Sequence, residues 1–209
     1  MKRLVVENKV KKRLKGYGRD RIVFANNFSD IGNAETINKA LHRLKEKGII
    51  IRLAQGIYLY PQIDEIIGTI YPTVEEIAQA IAKRDHARII PTGIQALNKL
   101  GLSTQIPMNV VYLTDGAARS IRINTRTIKF KKTTPKNLAV KGEISSLVIQ
   151  ALREIGKDKL KPKQLVKIRG FLAKEKPEFV KHEALKAPAW IRKIMIDYLE
   201  TRTYDQNVV

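Results

Sequence analysis

Residues 33–61 read NAETINKALHRLKEKGIIIRLAQGIYLYP, and the fold turns on them. Ile37, Ala40, Leu41 and Leu44 recur at i, i+3, i+4, i+7, so one stripe of a helix is apolar. Asn33 is placed to cap that helix, because its side-chain oxygen can accept an orphan N–H of the first turn. Gly48 follows the last periodic residue, where a left-handed residue commonly ends a helix. The other face carries Thr36, Asn38, Lys39, His42 and Arg43, side chains that hydrogen-bond base edges and phosphates. The strands Ile49–Leu53 and Ile57–Tyr60, with Ala54-Gln55-Gly56 between them, then make a basic hairpin that stops at Pro61. A polar-faced helix running straight into such a hairpin is the outline of a winged helix-turn-helix. The second helix of that motif enters the major groove of DNA.

The flanking sequence fits this outline. Val6, Val10 and Leu14 place a first helix within residues 5–15, set among Lys9, Lys11, Lys12, Arg13 and Lys15. Gly16-Tyr17-Gly18 ends it. Ile22-Val23-Phe24 is a short extended stretch. Asn27–Ile31 suits the compact scaffold helix of the turn motif, with Gly32 in the turn.

The chain has 209 residues, enough for two small domains, here 1–61 and 62–209. Lys and Arg number 40 against 20 Asp and Glu, a net charge of +20. Residues 1–61 contribute +9, 62–142 +6 and 143–209 +5. Such an excess favours a polyanionic partner, although part of it can serve solubility alone. With no cysteine, disulfides, zinc ribbons and thiol catalysis are excluded, and a reducing, cytoplasmic setting is expected. The N-terminal residues lack the apolar core of a signal peptide, and no run has the length of a membrane span.

Beyond Pro61 a connector to Pro72 contains apolar residues and is expected to pack. Thr73 and Glu76 form a capping box ahead of a helix to Lys83. Ile89-Ile90 is a short strand, Thr92–Leu100 a helix stopped by Gly101, and Val110–Thr114 a strand before an Asp115-Gly116 turn. Ile121 and Ile123 alternate with Arg122, and Ile128 and Phe130 with Lys129, about an Asn124-Thr125 turn. This predicts a small antiparallel meander with a basic outer face. From Glu143 the pattern is helical, with Pro162, Pro177 and Pro188 as punctuation, and Asp205–Val209 is expected to fray. The fold class is therefore α+β, a winged helix-turn-helix followed by a mixed domain with a small antiparallel sheet and C-terminal helices.

Catalytic constellations are missing from the pattern. His42, His86 and His182 are scattered, and there is no HExxH, phosphate loop or nucleophile elbow. No enzymatic activity, metal or cofactor is expected. The DNA-binding set is Thr36, Asn38, Lys39, His42 and Arg43 on the helix. Arg52, Gln55 and Gly56 join it from the wing. Lys9, Lys12 and Arg13 are the sequence-independent phosphate contacts. Tyr58 either offers its hydroxyl to a phosphate or belongs to the core. The plain alternative for the helix residues is a solvated face. The series Arg119, Arg122, Arg126, Lys129, Lys131 and Lys132 is the expected second nucleic-acid or antitoxin surface.

Three segments together carry a resemblance. ETINKALHRLKEKGIIIRLAQGIYLYP, then IPTGIQALNKLGLSTQIP, then VVYLTDGAARSIRI with TIKFKK resemble the AbiEi family, the antitoxins of type IV toxin–antitoxin systems. The resemblance covers about residues 5–140. It implies an N-terminal domain that binds promoter DNA and represses its own operon. It also implies a second domain that counters a nucleotidyltransferase-like toxin without a stable complex, in phage abortive infection. A monomer is the expected state. The other readings are a winged-helix regulator whose second domain senses a ligand or mediates assembly, and a nucleic-acid-processing enzyme docked by a winged helix.

Overall fold

In a computed structural model, which describes residues 2–105 and 107–207, the apolar stripe of the central helix is buried. The first compact unit is Met1–Arg84 with Ile121–Thr127, so the residues expected to form the winged helix lie inside a unit that continues past Pro61. Its elements run α1 (Lys2–Tyr17), β1 (Arg21–Phe24), a 3-10 turn (Ala25–Phe28), α2 (Ala34–Glu46), β2 (Ile51–Ala54) and β3 (Ile57–Tyr60). The strands are antiparallel in the order β1-β3-β2, with Val23 opposite Tyr58 and Arg52 opposite Tyr58 on the other side. Helix, strand, short helix, helix and hairpin in this order make the winged-helix layout.

Ile37, Ala40, Leu41 and Leu44 pack in one cluster with Val10 and Leu14 of α1, Val23 of β1, Phe28, and Tyr58 and Tyr60 of β3. Both ends of α2 are closed by local bonds. Asn33 Oδ1 accepts Thr36 N at 2.9 Å. Gly48, at φ +66°, donates to Lys45 O at 2.9 Å, and Ile49 N donates to Leu44 O at 2.9 Å. That pair of bonds is a Schellman motif. It uses Ile49 and Ile50 as the helix exit, so β2 starts at Ile51, two residues later than expected. The scaffold helix also differs. It is a single 3-10 turn that begins at Ala25, because Asn27 Oδ1 takes the amide of Phe24 at 2.7 Å and closes the turn early.

After Pro61 the unit continues with a two-residue ladder, β4 (Ile63–Asp64) against β5 (Gly68–Thr69), and α3 (Val74–Arg84). The expected packing of this connector does not occur throughout. Asp64 Oδ1 accepts Ile66 N and Ile67 N, which satisfies the turn and leaves Ile66 94% and Ile67 74% exposed. The Thr73–Glu76 capping box forms, with Thr73 N donating to Glu76 Oε2 at 2.7 Å and Glu76 N to Thr73 Oγ1 at 3.2 Å. Arg84 at the end of α3 stacks over Phe24 at 4.5 Å.

The second compact unit is Asp85–Ser120 with Ile128–Val209. A sheet ordered β6-β7-β9-β8 is made by β6 (Ile89–Pro91), β7 (Asn109–Thr114), β8 (Arg119–Ile123) and β9 (Arg126–Lys132), of which residues 121–123 and 126–127 count with the first unit. The consecutive meander expected for these strands is not formed, since β9 lies beside β7 and β8 is the edge. The two-residue turn Asn124-Thr125 does form, with Asn124 at φ +52°. Helices α4 (Ile94–Lys99), α5 (Pro135–Leu138), α6 (Glu143–Ile155), α7 (Pro162–Leu172), α8 (Pro177–Ala184) and α9 (Ala189–Asn207) complete it. Helix α9 runs to Asn207, and Val208 and Val209 of the segment expected to fray lie outside the described residues. Ala96, Val148, Leu152, Ile168, Leu172, Val180, Ile191 and Met195 form the helical core.

Two carboxylates hold the start of α6. Glu175 accepts Ile144 N at 3.0 Å and Ser145 N at 2.8 Å. Glu183, almost fully buried, accepts Lys141 N at 2.8 Å and faces His182 at 2.9 Å and Lys186 at 3.5 Å. A Cβ at Gly142 would lie 2.6 Å from Glu175 Oε2, so a side chain there would push that carboxylate off the α6 amides. Burial pushes the Glu183 carboxyl up, but the Lys141 amide, His182, Lys186 and the Gly142 amide outweigh it and the net shift is downward. A depressed carboxylate contributes stability above its unfolded value of 4.5 and loses it as pH falls through the lower folded value. Glu183→Gln should therefore cost roughly 1–3 kcal/mol at neutral pH. It should also reduce the loss of stability on acidification, measured by urea unfolding between neutral pH and the acid limb.

Candidate nucleic-acid interface

The outer face of α2 is set by what its inner face must bury. With Ile37, Ala40, Leu41 and Leu44 turned inward, Glu35, Asn38, Lys39 and His42 are exposed together. They line one shallow concavity with Arg43. Lys39 forms an i,i+4 ion pair with Glu35. Glu35 was missing from the face read in the sequence, although its spacing of four and seven residues to Lys39 and His42 places it there.

Not every residue of the expected set is offered to a ligand. Thr36 is half-buried and donates its hydroxyl to Asn33 Oδ1 at 2.6 Å, so it works as part of the cap. Arg43 donates to Lys39 O at 3.2 Å and lies 3.7 Å from Glu7 of α1. Glu7 is 5% exposed and also pairs with Lys47. Arg43 and Lys47 therefore neutralise a buried acid and clamp α1 to α2. Nothing in the local sequence pattern signals this pair, because 40 residues separate Glu7 from Lys47.

Arg13 is engaged in the same way. Its guanidinium grips Asp30 through two bonds of 2.5 and 2.6 Å and donates to Asn27 O at 2.9 Å. The hydrogen-bonded Arg13 fork holds the Asp30 carboxyl down to about 2. It fixes α1 against the turn that leads into α2. Lys9 and Lys12 are exposed beside it and line an open cleft with Gly16, Tyr17 and Ile31.

The wing is short and tied down. Gly56 turns at φ +69°, and its carbonyl accepts Ala25 N at 3.1 Å. Arg52 is exposed and reaches Ala54 O at 3.4 Å, and Gln55 is exposed at the tip. Tyr58 is 7% exposed within the core cluster, the second of the two roles open to it. Arg19, absent from the expected set, stacks over Tyr60 at 4.5 Å and donates to Pro61 O at 3.2 Å.

The basic series on β8 and β9 does not behave as one face. Arg119 pairs with Asp85 and stacks over Phe130 at 5.5 Å. Arg122 is exposed and donates to Asn124 O at 3.1 Å. Arg126 and Lys129 are half-buried, and Lys131 and Lys132 are exposed. His182 is bound to Glu183, and His86 is an exposed residue at φ +51°. Among the described residues no three His, Asp or Glu side chains cluster as a metal site. Among them, too, no helix is long and apolar enough to cross a membrane.

A family model described as a family of unknown function, DUF6088, matches residues 7–180. The chain belongs to DUF6088. No match was found among curated proteins. Among solved structures this DUF6088 chain is similar to the crystal structure of the RV2827C protein from Mycobacterium tuberculosis. The TM-score is 0.52 at 13% identity, over 91% of this chain and 75% of the other. At that identity the likeness is one of fold.

The Glu7 clamp gives a stability test. Arg43→Ala with Lys47→Ala should destabilise by roughly 1–3 kcal/mol, because a buried acid loses its partners. Adding Glu7→Gln should return part of that loss, measured as urea midpoints of the variants.

Proposed function

We propose that the chain is a DNA-binding autorepressor and the antitoxin of a type IV toxin–antitoxin pair. One observation carries the DNA-binding part. The winged-helix unit exposes Asn38, Lys39 and His42 on α2, with Arg52 on strand β2 of the wing and Gln55 at its tip. In this class of module the N-terminal part of the second helix reads base edges while the wing and first helix hold the backbone. Asn38 is the side chain fitted to adenine, through paired bonds to N6 and N7. Lys9 and Lys12 supply phosphate contacts from α1. The net charge of +20 supplies attraction over distance.

The antitoxin part is supported by the resemblance to the AbiEi family alone. In that reading the second unit counters a nucleotidyltransferase-like toxin, no stable complex is needed, and the chain has no catalytic role. One structural observation favours the ligand-sensing alternative. The second unit holds a cavity of about 330 Å³, walled by Ile89, Ile90, Pro91 and Leu147 and bordered by Arg88 and Lys99.

Asn38→Ala should weaken binding to the upstream promoter fragment by roughly 1–3 kcal/mol with the fold unchanged. Lys9→Ala and Lys12→Ala should each lower the salt slope of binding by about 0.9. Equal affinity and slope for all three variants in a mobility-shift titration would remove the module from promoter recognition. The antitoxin part is tested by co-expression with the neighbouring gene product. Growth should be rescued by the full chain, and by the Asn38→Ala chain when both genes are driven from a foreign promoter. Toxicity that the full chain does not relieve would overturn it.

A further inference from the structure

Helix α7 presents Lys163, Lys167 and Gly170 in one exposed row at i, i+4 and i+7, and exposed Lys174 follows in the turn after the helix. Residues 157–176 hold eight Lys and Arg against Asp158 and Glu175. Glu175 is bound to the amides that start α6, which leaves the row strongly cationic. The row borders a groove of about 390 Å³ lined by Leu100, Gly101, Lys167, Gly170, Phe171 and Lys174. No acid lines it. Phe171 packs against the helical core and also lines the groove, with Lys174 Nζ 5.2 Å from its ring centre. Lys167 reaches Gly101 O only at 3.4 Å.

Gly170 is the unexplained member. It sits inside a helix, where glycine is less stable than alanine. Its φ is not in the left-handed region, and a Cβ built on it would meet nothing within 4 Å. Neither backbone conformation nor packing calls for glycine here. What the missing side chain does is leave the groove open between two lysines and beside an aromatic ring.

We propose that this groove binds single-stranded nucleic acid. One unpaired base stacks in the groove against Phe171, and neighbouring phosphates lie along Lys163, Lys167 and Lys174. Sequence-tolerant single-strand binders combine these two elements, a cationic track and an aromatic platform. A duplex keeps its base faces covered, so it cannot use the ring. From Lys163 to Gly170 the row runs about 10 Å along the helix, with Lys174 beyond its end, which suits several linked nucleotides better than one.

The test uses the full chain, with labelled oligo(U) and oligo(dT) of about 12 nucleotides and the promoter duplex as control. Gly170→Leu should leave the melting temperature equal or higher, since the helix gains propensity and a Cβ at this position meets nothing within 4 Å. It should weaken single-strand binding about tenfold and leave the duplex affinity unchanged. Lys167→Ala with Lys174→Ala should lower the single-strand salt slope by about 1.4, at ~0.7 per phosphate contact. The proposal is overturned if the wild-type chain fails to bind either strand, or if Gly170→Leu binds as the wild type does. It is overturned equally if the lysine variant loses single-strand and duplex affinity in parallel, which would be bare charge.

Discussion

Burial of Ile37, Ala40, Leu41 and Leu44 against Val10, Leu14 and Phe28 is the contact on which the first unit depends. Each large side chain fully removed from water contributes roughly 1.5–3 kcal/mol before ordering costs are set against it. The rotation of α2 about its axis is therefore not free. Any turn of the helix that exposed Leu41 to improve a surface contact would lose more than an exposed ion pair returns. Asn38, Lys39 and His42 point outward because the opposite face has no alternative. The chemistry of the exposed face is in this sense a consequence of the core.

The same constraint explains which parts could be read from residue order. Asn33, Gly48, Thr73 and Glu76 act within a turn of their own positions, and each makes the bond its type suggests. The stripe at α2 and the alternation in β8 and β9 report burial directly. Readings failed where a local bond competed with a periodic pattern. Ile49 and Ile50 look like strand residues, yet their amides close α2 on Leu44. Asn27 looks like the start of a helix, yet its side chain reaches back to the amide of Phe24 and the turn begins at Ala25. Ile63, Ile66 and Ile67 look like packing residues, yet the Asp64 turn leaves them in solvent. The order of β9 and β8 depends on pairing across the sheet, which alternation does not encode.

Charge was the least legible property, because residue type does not say what a cation faces. Arg13 and Arg43 share one basic region of sequence with Lys9, Lys12 and Lys39, and residue type alone offers all five as anion contacts. The structure separates them. Arg13 holds Asp30, and Arg43 with Lys47 holds Glu7. Each bridges segments distant in sequence. In the second unit Arg119 is divided from its neighbours in the same way, by Asp85 and the Phe130 ring.

This division bears on how a net charge of +20 can coexist with a stable fold. Self-repulsion among cations opposes compaction, and the effect is strongest where they are close and shielded from solvent. Here the half-buried cations Arg13, Arg43 and Arg119 face acids or an aromatic ring. The lysines of α7 and the outer residues of α1 stand in water, where salt screens them from one another. A surface of that kind tolerates crowding only while solvent or a polyanion surrounds it. The exposed cation rows on α1 and on α7 are thus places where a polyanion would relieve repulsion, and they belong to different units of the chain.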